Sequence, residues 1–250
     1  MVAKTLGPLA WRGAFAHGPA MRDAAATHGE ADFRHVTAWV FDLDHTLYTF
    51  DAEQQAEMEE RICRYVQRHF DLPRAPAWDI QKRYLKDYGS TLAGLVMNHD
   101  IDPDAYHDAV NDIGALGLTP DTALRAAIAR LPGRRLVFTN NCGRYARDVL
   151  ERLGLADLFD GIVDAKATNF VPKPQPDAYR SLLALGGFDA KEAALFDDSA
   201  RNLVPARALG MTTVWYNDGL GQSHWRIDNP ALHIDHETDH LPTFLQSIRI

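Results

Sequence analysis

Short apolar, β-branched runs alternate along this chain with longer stretches whose apolar residues recur at helical spacing. The first run, Val36-Thr37-Ala38-Trp39-Val40-Phe41, breaks at once into Asp42-Leu43-Asp44-His45-Thr46. Further strand-like runs lie at 135–138, 161–163, 193–196 and 212–216. Between them the period is helical: 145–153 stops at Gly154, 177–185 opens behind Pro176 and stops at Gly186-Gly187, and 201–209 stops at Gly210. Glycine just past the last periodic residue is a stop signal, because it enters the left-handed region without strain. Strands alternating with helices of this length predict βαβ units around a parallel sheet.

The stretch 50–119 departs from that rhythm. Its pattern predicts helices at 52–69, 78–88, 90–98 and 103–113, with Pro and Gly at the joints. About 70 helical residues between the first and second strands are far too many for an ordinary crossover. The expected fold is therefore α/β, a Rossmann-like parallel sheet core over 36–49 and 120–250 with a helical cap domain inserted at 50–119. Residues 1–35, rich in Ala, Gly and His, lack a firm period and are expected to be a loose extension, with Met21 an alternative start. Asp23, Glu30 and Asp32 argue against a transit peptide, and no long apolar core follows Lys4 as a secretory signal needs.

Composition changes this picture little. At 46% hydrophobic and 24% charged residues, the 250-residue chain has the make-up of a globular protein. A net charge of −8 without a basic block argues against binding a nucleic-acid polymer, and the short apolar runs argue against a membrane span. Cys63 and Cys142 stand far apart, so neither a disulfide framework nor a zinc site is indicated and a reducing cytoplasm is the expected setting. Oligomeric state is not legible.

Four segments end a predicted strand or sit in the loop beyond one: 41–46, Phe138-Thr139-Asn140-Asn141, Val171-Pro172-Lys173-Pro174 and Leu195-Phe196-Asp197-Asp198-Ser199. A parallel sheet gathers such segments on one edge. Clustered carboxylates repel unless a cation sits between them, and hard Mg²⁺ takes oxygen ligands. One carboxylate can attack a phosphoryl group, and a second acid two residues on can protonate the leaving oxygen and then activate water. A lysine, a hydroxyl and backbone N–H groups spread the phosphoryl charge. The set suits phosphoryl transfer.

Asp42-Leu43-Asp44-His45-Thr46, Thr139-Asn140, Lys173-Pro174 and Asp197-Asp198-Ser199-Ala200-Arg201-Asn202 resemble, in order, the four motifs of the haloacid dehalogenase-like superfamily. The resemblance covers about residues 36 to 220. It implies Asp42 as nucleophile and Mg²⁺ ligand, and Asp44 as acid/base with its backbone carbonyl on the metal. Thr139 and Asn140 would hold phosphoryl oxygens, and Lys173 would neutralise nucleophile and phosphate. The last motif departs from the common G-D-x-x-x-D, since Asp197 falls where that glycine lies. Asp198 is then the expected direct ligand, Asp197 its supporting partner and Asn202 an orienting residue. In the cap, Tyr84 through Leu95 is similar to the Y-x-x-Y-G-x-T-x-x-G-L stretch of the pyrimidine 5′-nucleotidase group, which makes Tyr88 and Thr91 candidate substrate contacts.

Plainer explanations stand beside these. Asp42 and Asp44 could form a strand-end turn, Lys173 could be a surface lysine, and Thr139-Asn140-Asn141 could cap the following helix. His233, His236 and His240 space loosely like a metal site, but no acidic pocket accompanies them. An apolar strand running into a helix explains them better. The expected function is hydrolysis of a small phosphorylated metabolite, a nucleoside 5′-monophosphate first, through an aspartyl phosphate. Alternatives are a phosphatase of another small ester such as a sugar phosphate or phosphoglycolate, a phosphosugar mutase, a haloacid dehalogenase and a non-catalytic binding module. Asp44 speaks against the dehalogenase, which needs no proton donor there.

Overall fold

The computed structural model describes residues 31–49, 51–111, 117–217 and 232–250. Six parallel strands form one sheet in the order β3-β2-β1-β4-β5-β6. They are β1 (Ala38–Phe41), β2 (Arg134–Phe138), β3 (Gly161–Val163), β4 (Ala193–Asp197), β5 (Thr212–Tyr216) and β6 (His236–Thr238). Central β1 is buried along its whole length, the condition under which an unalternating apolar run becomes a strand. Trp39 and Phe41 pack on one face with α5 (Thr122–Ala129), α6 (Gly143–Arg152) and α9 (Leu241–Ser247). Ala38 and Val40 pack on the other, against α7 (Pro176–Gly186) and α8 (Ala200–Leu209). Each fully buried Trp or Phe is worth about 2 to 3 kcal/mol in these layers.

Strand order reverses at β1: the chain steps to β2 on one side and later returns to β4 on the other. The carboxyl ends of β1, β2 and β4 therefore frame the crevice at a topological switch point, where open α/β sheets bind ligands.

Between β1 and β2 stand α1 (Ala52–Phe70), α2 (Arg74–Tyr88), α3 (Thr91–Asn98) and α4 (Pro103–Val110). They share a hydrophobic cluster of their own, with Cys63, Val66, Tyr84, Leu95, Tyr106 and Val110 at its centre. These helices are the stretch that the sequence reads as an inserted cap. Asp51 opens it with a capping box, its carboxylate accepting from Glu53 and Gln54 N–H while Gln54 answers to the Asp51 N–H. Such a cap contributes about 1 kcal/mol.

Several elements differ from the pattern. Helix α2 starts four residues before the predicted Trp78, because Pro76 falls in a first turn whose N–H groups need no intrahelical partner. Of residues 31–35, expected as the end of a loose extension, Ala31 and Phe33 instead pack on the core. Phe33 is fully buried, stacks on Trp39 and donates its N–H to the Arg249 carbonyl at 2.8 Å. The extension from 1 to 30, Phe50, and the predicted helix end at 112–113 lie outside the described residues. Beyond 216, β6 adds to the sheet edge, and His240 caps α9 through Thr243.

Candidate functional site

Asp42 follows β1 directly, and its N–H continues the ladder to the Phe196 carbonyl at 2.8 Å. Asp197 closes the adjacent β4 and Asp198 follows it, so strand register alone places three acids side by side. One carboxylate oxygen of each lies within 4.8 Å of the others. The Lys173 Nζ donates to Asp42 Oδ1 and to Asp197 Oδ2, each at 2.7 Å. Asp197 Oδ1 accepts from the Ser199 N–H and the Asn202 amide, both at 2.9 Å. Both Asp197 oxygens are thus engaged within the protein. Asp198 is fixed through its backbone, its N–H donating to Thr46 Oγ1 and its carbonyl accepting from the Trp215 indole.

Electrostatics here are unbalanced. Burial pushes the Lys173 ammonium down, but Asp197 and Asp42 outweigh that and hold it protonated above its ordinary value. Burial raises Asp42 despite Lys173, with Asp44 adding to the rise. Burial lifts Asp197 to about 6, and burial together with Asp197 and Asp42 drives Asp198 well above the usual carboxylate range. One lysine does not balance this crowd of acids. A hard cation with oxygen ligands would, and the carboxylate donor set fits Mg²⁺.

Thr139 and Asn140 arrive at the end of β2. The Thr139 hydroxyl is buried and accepts from the Asn141 N–H at 3.0 Å, which leaves its own proton available. The Asn140 side chain spans to the backbone of Lys173, accepting from its N–H at 2.7 Å and donating to its carbonyl at 3.2 Å. Its amide thus braces the lysine loop. The α2 C-terminus braces it from the cap: Gly89 has φ 83°, and a Cβ there would come 2.9 Å from the Lys173 carbonyl oxygen. Only glycine fits both conditions.

Asp44 lies two residues beyond Asp42 and is half-buried. Its Oδ1 accepts from the Tyr48 hydroxyl and from the Tyr145 hydroxyl, the latter at 3.1 Å, and the two phenol oxygens are 2.5 Å apart. Burial, then the Asp44 charge, pushes both phenols above their ordinary value of 10, so both stay protonated. Neither tyrosine stands out in the sequence, because an aromatic beside apolar residues reads as core.

The cap residues chosen from sequence make their described hydrogen bonds within the cap. Thr91 is buried inside the cap, its hydroxyl donating to the Gln81 carbonyl at 3.3 Å. Tyr88 donates to Asn98 at 3.3 Å and meets Tyr84 edge to face. A Cβ on Gly94 would strike the Tyr84 ring, so that glycine serves the contact between α2 and α3. Thr91, Tyr84 and Gly94 thus serve packing within the cap. Ser90, Leu92 and Ala93 line a small cavity together with Asn140, Phe170 and Pro172 of the core.

Known proteins place the chain. Phosphate metabolism protein 8 of Saccharomyces cerevisiae is 28% identical over 187 residues, 68% of this chain but only 58% of the yeast protein's length. Phosphoglycolate phosphatase of Neisseria meningitidis is 24% identical over 233 residues, 88% of this chain and 96% of that enzyme. Among solved structures, a HAD phosphatase from Thermococcus onnurineus matches with a TM-score of 0.55 at 19% identity, over 86% of this chain and 100% of the other. L-2-haloacid dehalogenase from Xanthobacter autotrophicus matches at 0.51 and 17%, over 84% and 97%. At such identities these structures share the fold. A family model spanning residues 39–216 goes further, and the chain belongs to the haloacid dehalogenase-like hydrolase family.

Proposed function

We propose that the chain is a Mg²⁺-dependent phosphomonoester hydrolase that works through a phosphorylated Asp42. The observation that carries this is the Lys173 ammonium held between Asp42 and Asp197, with Asp198 alongside and a second acid, Asp44, two residues on. Asp42 and Asp198 carboxylates with the Asp44 carbonyl would hold the cation, since Asp197 is already saturated by Lys173, Ser199 and Asn202. Bound Mg²⁺ would neutralise phosphoryl charge. The Asp42 carboxylate attacks phosphorus while Lys173, the Thr139 hydroxyl and nearby N–H groups hold the phosphoryl oxygens. Asp44 gives its proton to the departing alkoxide, then takes one from the water that cleaves the acyl phosphate.

Nucleoside 5′-monophosphates are the first substrates to test, on the likeness of the 84–95 stretch to the pyrimidine 5′-nucleotidase group. Phosphoglycolate is the second, because a relative named for hydrolysing it aligns over 96% of its length. Release of inorganic phosphate from both, and from sugar phosphates, should require Mg²⁺ and stop in EDTA. Asp42→Asn should keep the fold and lose turnover, because an amide cannot form the acyl phosphate. Undiminished hydrolysis by that variant refutes the mechanism.

A further inference from the structure

The chain beyond β1 makes a tight turn. Leu47 N–H reaches back to the Leu43 carbonyl at 3.0 Å, His45 takes φ 61°, and Asp44 and Tyr48 form a backbone bridge. Leu43 and Leu47 are buried in the main core and anchor this turn. It swings the Tyr48 ring beside the Asp44 side chain. Tyr145 arrives independently, from the first turn of α6, the helix that follows Thr139 and Asn140. The turn that carries Asp44 and the remote helix α6 thus each deliver a buried hydroxyl to the same carboxylate oxygen, while no described residue hydrogen-bonds Asp44 Oδ2.

We propose that Tyr48 and Tyr145 are positioning residues for Asp44, a phenol pair that fixes Oδ1 so that Oδ2 meets the leaving oxygen and then the attacking water. This rests on the phosphatase reading above. A carboxylate at the end of a short side chain has two torsions to lose before it can transfer a proton in line. Donors pointed at one of its oxygens remove that freedom in advance. The pair also ties the acid/base to the helix that follows the phosphate-holding segment, so both ends of the reacting ester are gripped from one rigid layer.

In the first step the Asp42–phosphorus bond forms, the ester P–O bond breaks and the alkoxide takes the Asp44 proton. In the second, water oxygen bonds to phosphorus, its proton passes to Asp44 and the Asp42–phosphorus bond breaks. A p-nitrophenolate leaves without a proton, so its first step does not need Asp44, whereas its second does. An alkyl ester needs Asp44 in both. The loss of either hydroxyl should therefore divide the two esters in a way that a packing defect would not.

The test uses Tyr48→Phe and Tyr145→Phe in the full chain with Mg²⁺, measured on p-nitrophenyl phosphate and on the best alkyl phosphate the wild type cleaves. Melting curves check the fold, and either variant alone suffices if the other is lost. On the alkyl ester kcat should fall about tenfold or more with KM little changed. On the aryl ester the ratio of burst rate to steady-state rate should rise by about the same factor, as the acyl phosphate accumulates. Wild-type kinetics in the variants, or equal losses on both esters without a change in that ratio, would overturn the positioning role alone. A wild type that cleaves neither ester overturns the phosphatase reading, and this role with it.

Discussion

Lys173 shows how much of the site a single side chain can hold. It is almost fully buried, and its ammonium stands 2.7 Å from two carboxylates that arrive from different strands. Removing one partner of such a cluster leaves uncompensated charge, which is far costlier than losing a surface ion pair. Lys173→Ala should therefore lower kcat/KM for phosphate esters by about 100-fold or more, as expected for a donor aimed at developing phosphoryl charge. Lys173→Arg should recover little, because a planar fork cannot occupy the point between Asp42 and Asp197. Steady-state kinetics of both variants would check this, and unchanged values would return Lys173 to a purely structural role. Residue types with chemistry were legible in the sequence: Asp42, Asp197 and Asp198 are polar groups at strand ends, and Lys173 sits between prolines in the loop beyond β3. Tyr48 and Tyr145 were not, since their rings pack in the core and only their hydroxyls meet Asp44. Thr91 stood out in the sequence for its hydroxyl, which in the structure donates to the Gln81 carbonyl within the cap.

Helix α4 and its C-cap bring the cap against the segments that follow β2 and β3. Asp108 pairs with Arg144, Asn111 donates to Asn141 at 2.9 Å, and Lys166 stands 3.9 Å from Asp104. The exposed ion pairs are worth little each. His107 on the inner face is different: it is 4% exposed and its Nε2 has no hydrogen-bond partner among the described residues. Burial lowers its pKa from 6.5 to about 4, against the pull of Asp104 and Asp164. Below pH 6.5 the unfolded chain takes up a proton that the folded chain refuses until about 4, so stability falls as pH drops through that window and is unaffected above it. Relative to His107→Gln, the wild type should lose up to about 3 kcal/mol between those limits. Denaturant titrations at several pH values would measure it, and parallel pH curves for the two proteins would refute it. Element boundaries were legible where apolar period and glycine stops agreed, as in α7 and α8. At β6 the expected strand running into a helix is present, but its bounds were not legible, since His236, Glu237 and Thr238 carry no apolar alternation and pair along the open edge of β5.

Across the whole molecule, a site scattered over more than 150 residues is assembled by parallel register and one reversal of strand order. That assembly was readable in advance, because any parallel sheet gathers its strand ends. Which cap side chains face the core was not, since it depends on how α3 rolls against α2, and Tyr84 lodged on Gly94 sets that roll. The same assembly crowds Asp42, Asp197 and Asp198 into one buried cluster at a standing electrostatic cost. A cation bound there stabilises the folded chain and not the unfolded one, by about 2.7 kcal/mol at one hundred times its dissociation constant. For a chain of this length that corresponds to a rise in Tm of roughly 5 to 10 °C. Mg²⁺ should raise the melting temperature by that order, and EDTA should return it to the metal-free value. Asp198→Asn removes one charge from the crowd while leaving the backbone contacts with Thr46 and Trp215 in place. Its metal-free melting point should equal or exceed that of the wild type, and its Mg²⁺-dependent rise should largely vanish. Calorimetry on both proteins, with no substrate present, separates the metal from the chemistry: an equal rise in the variant places the cation elsewhere, and no rise in the wild type removes it.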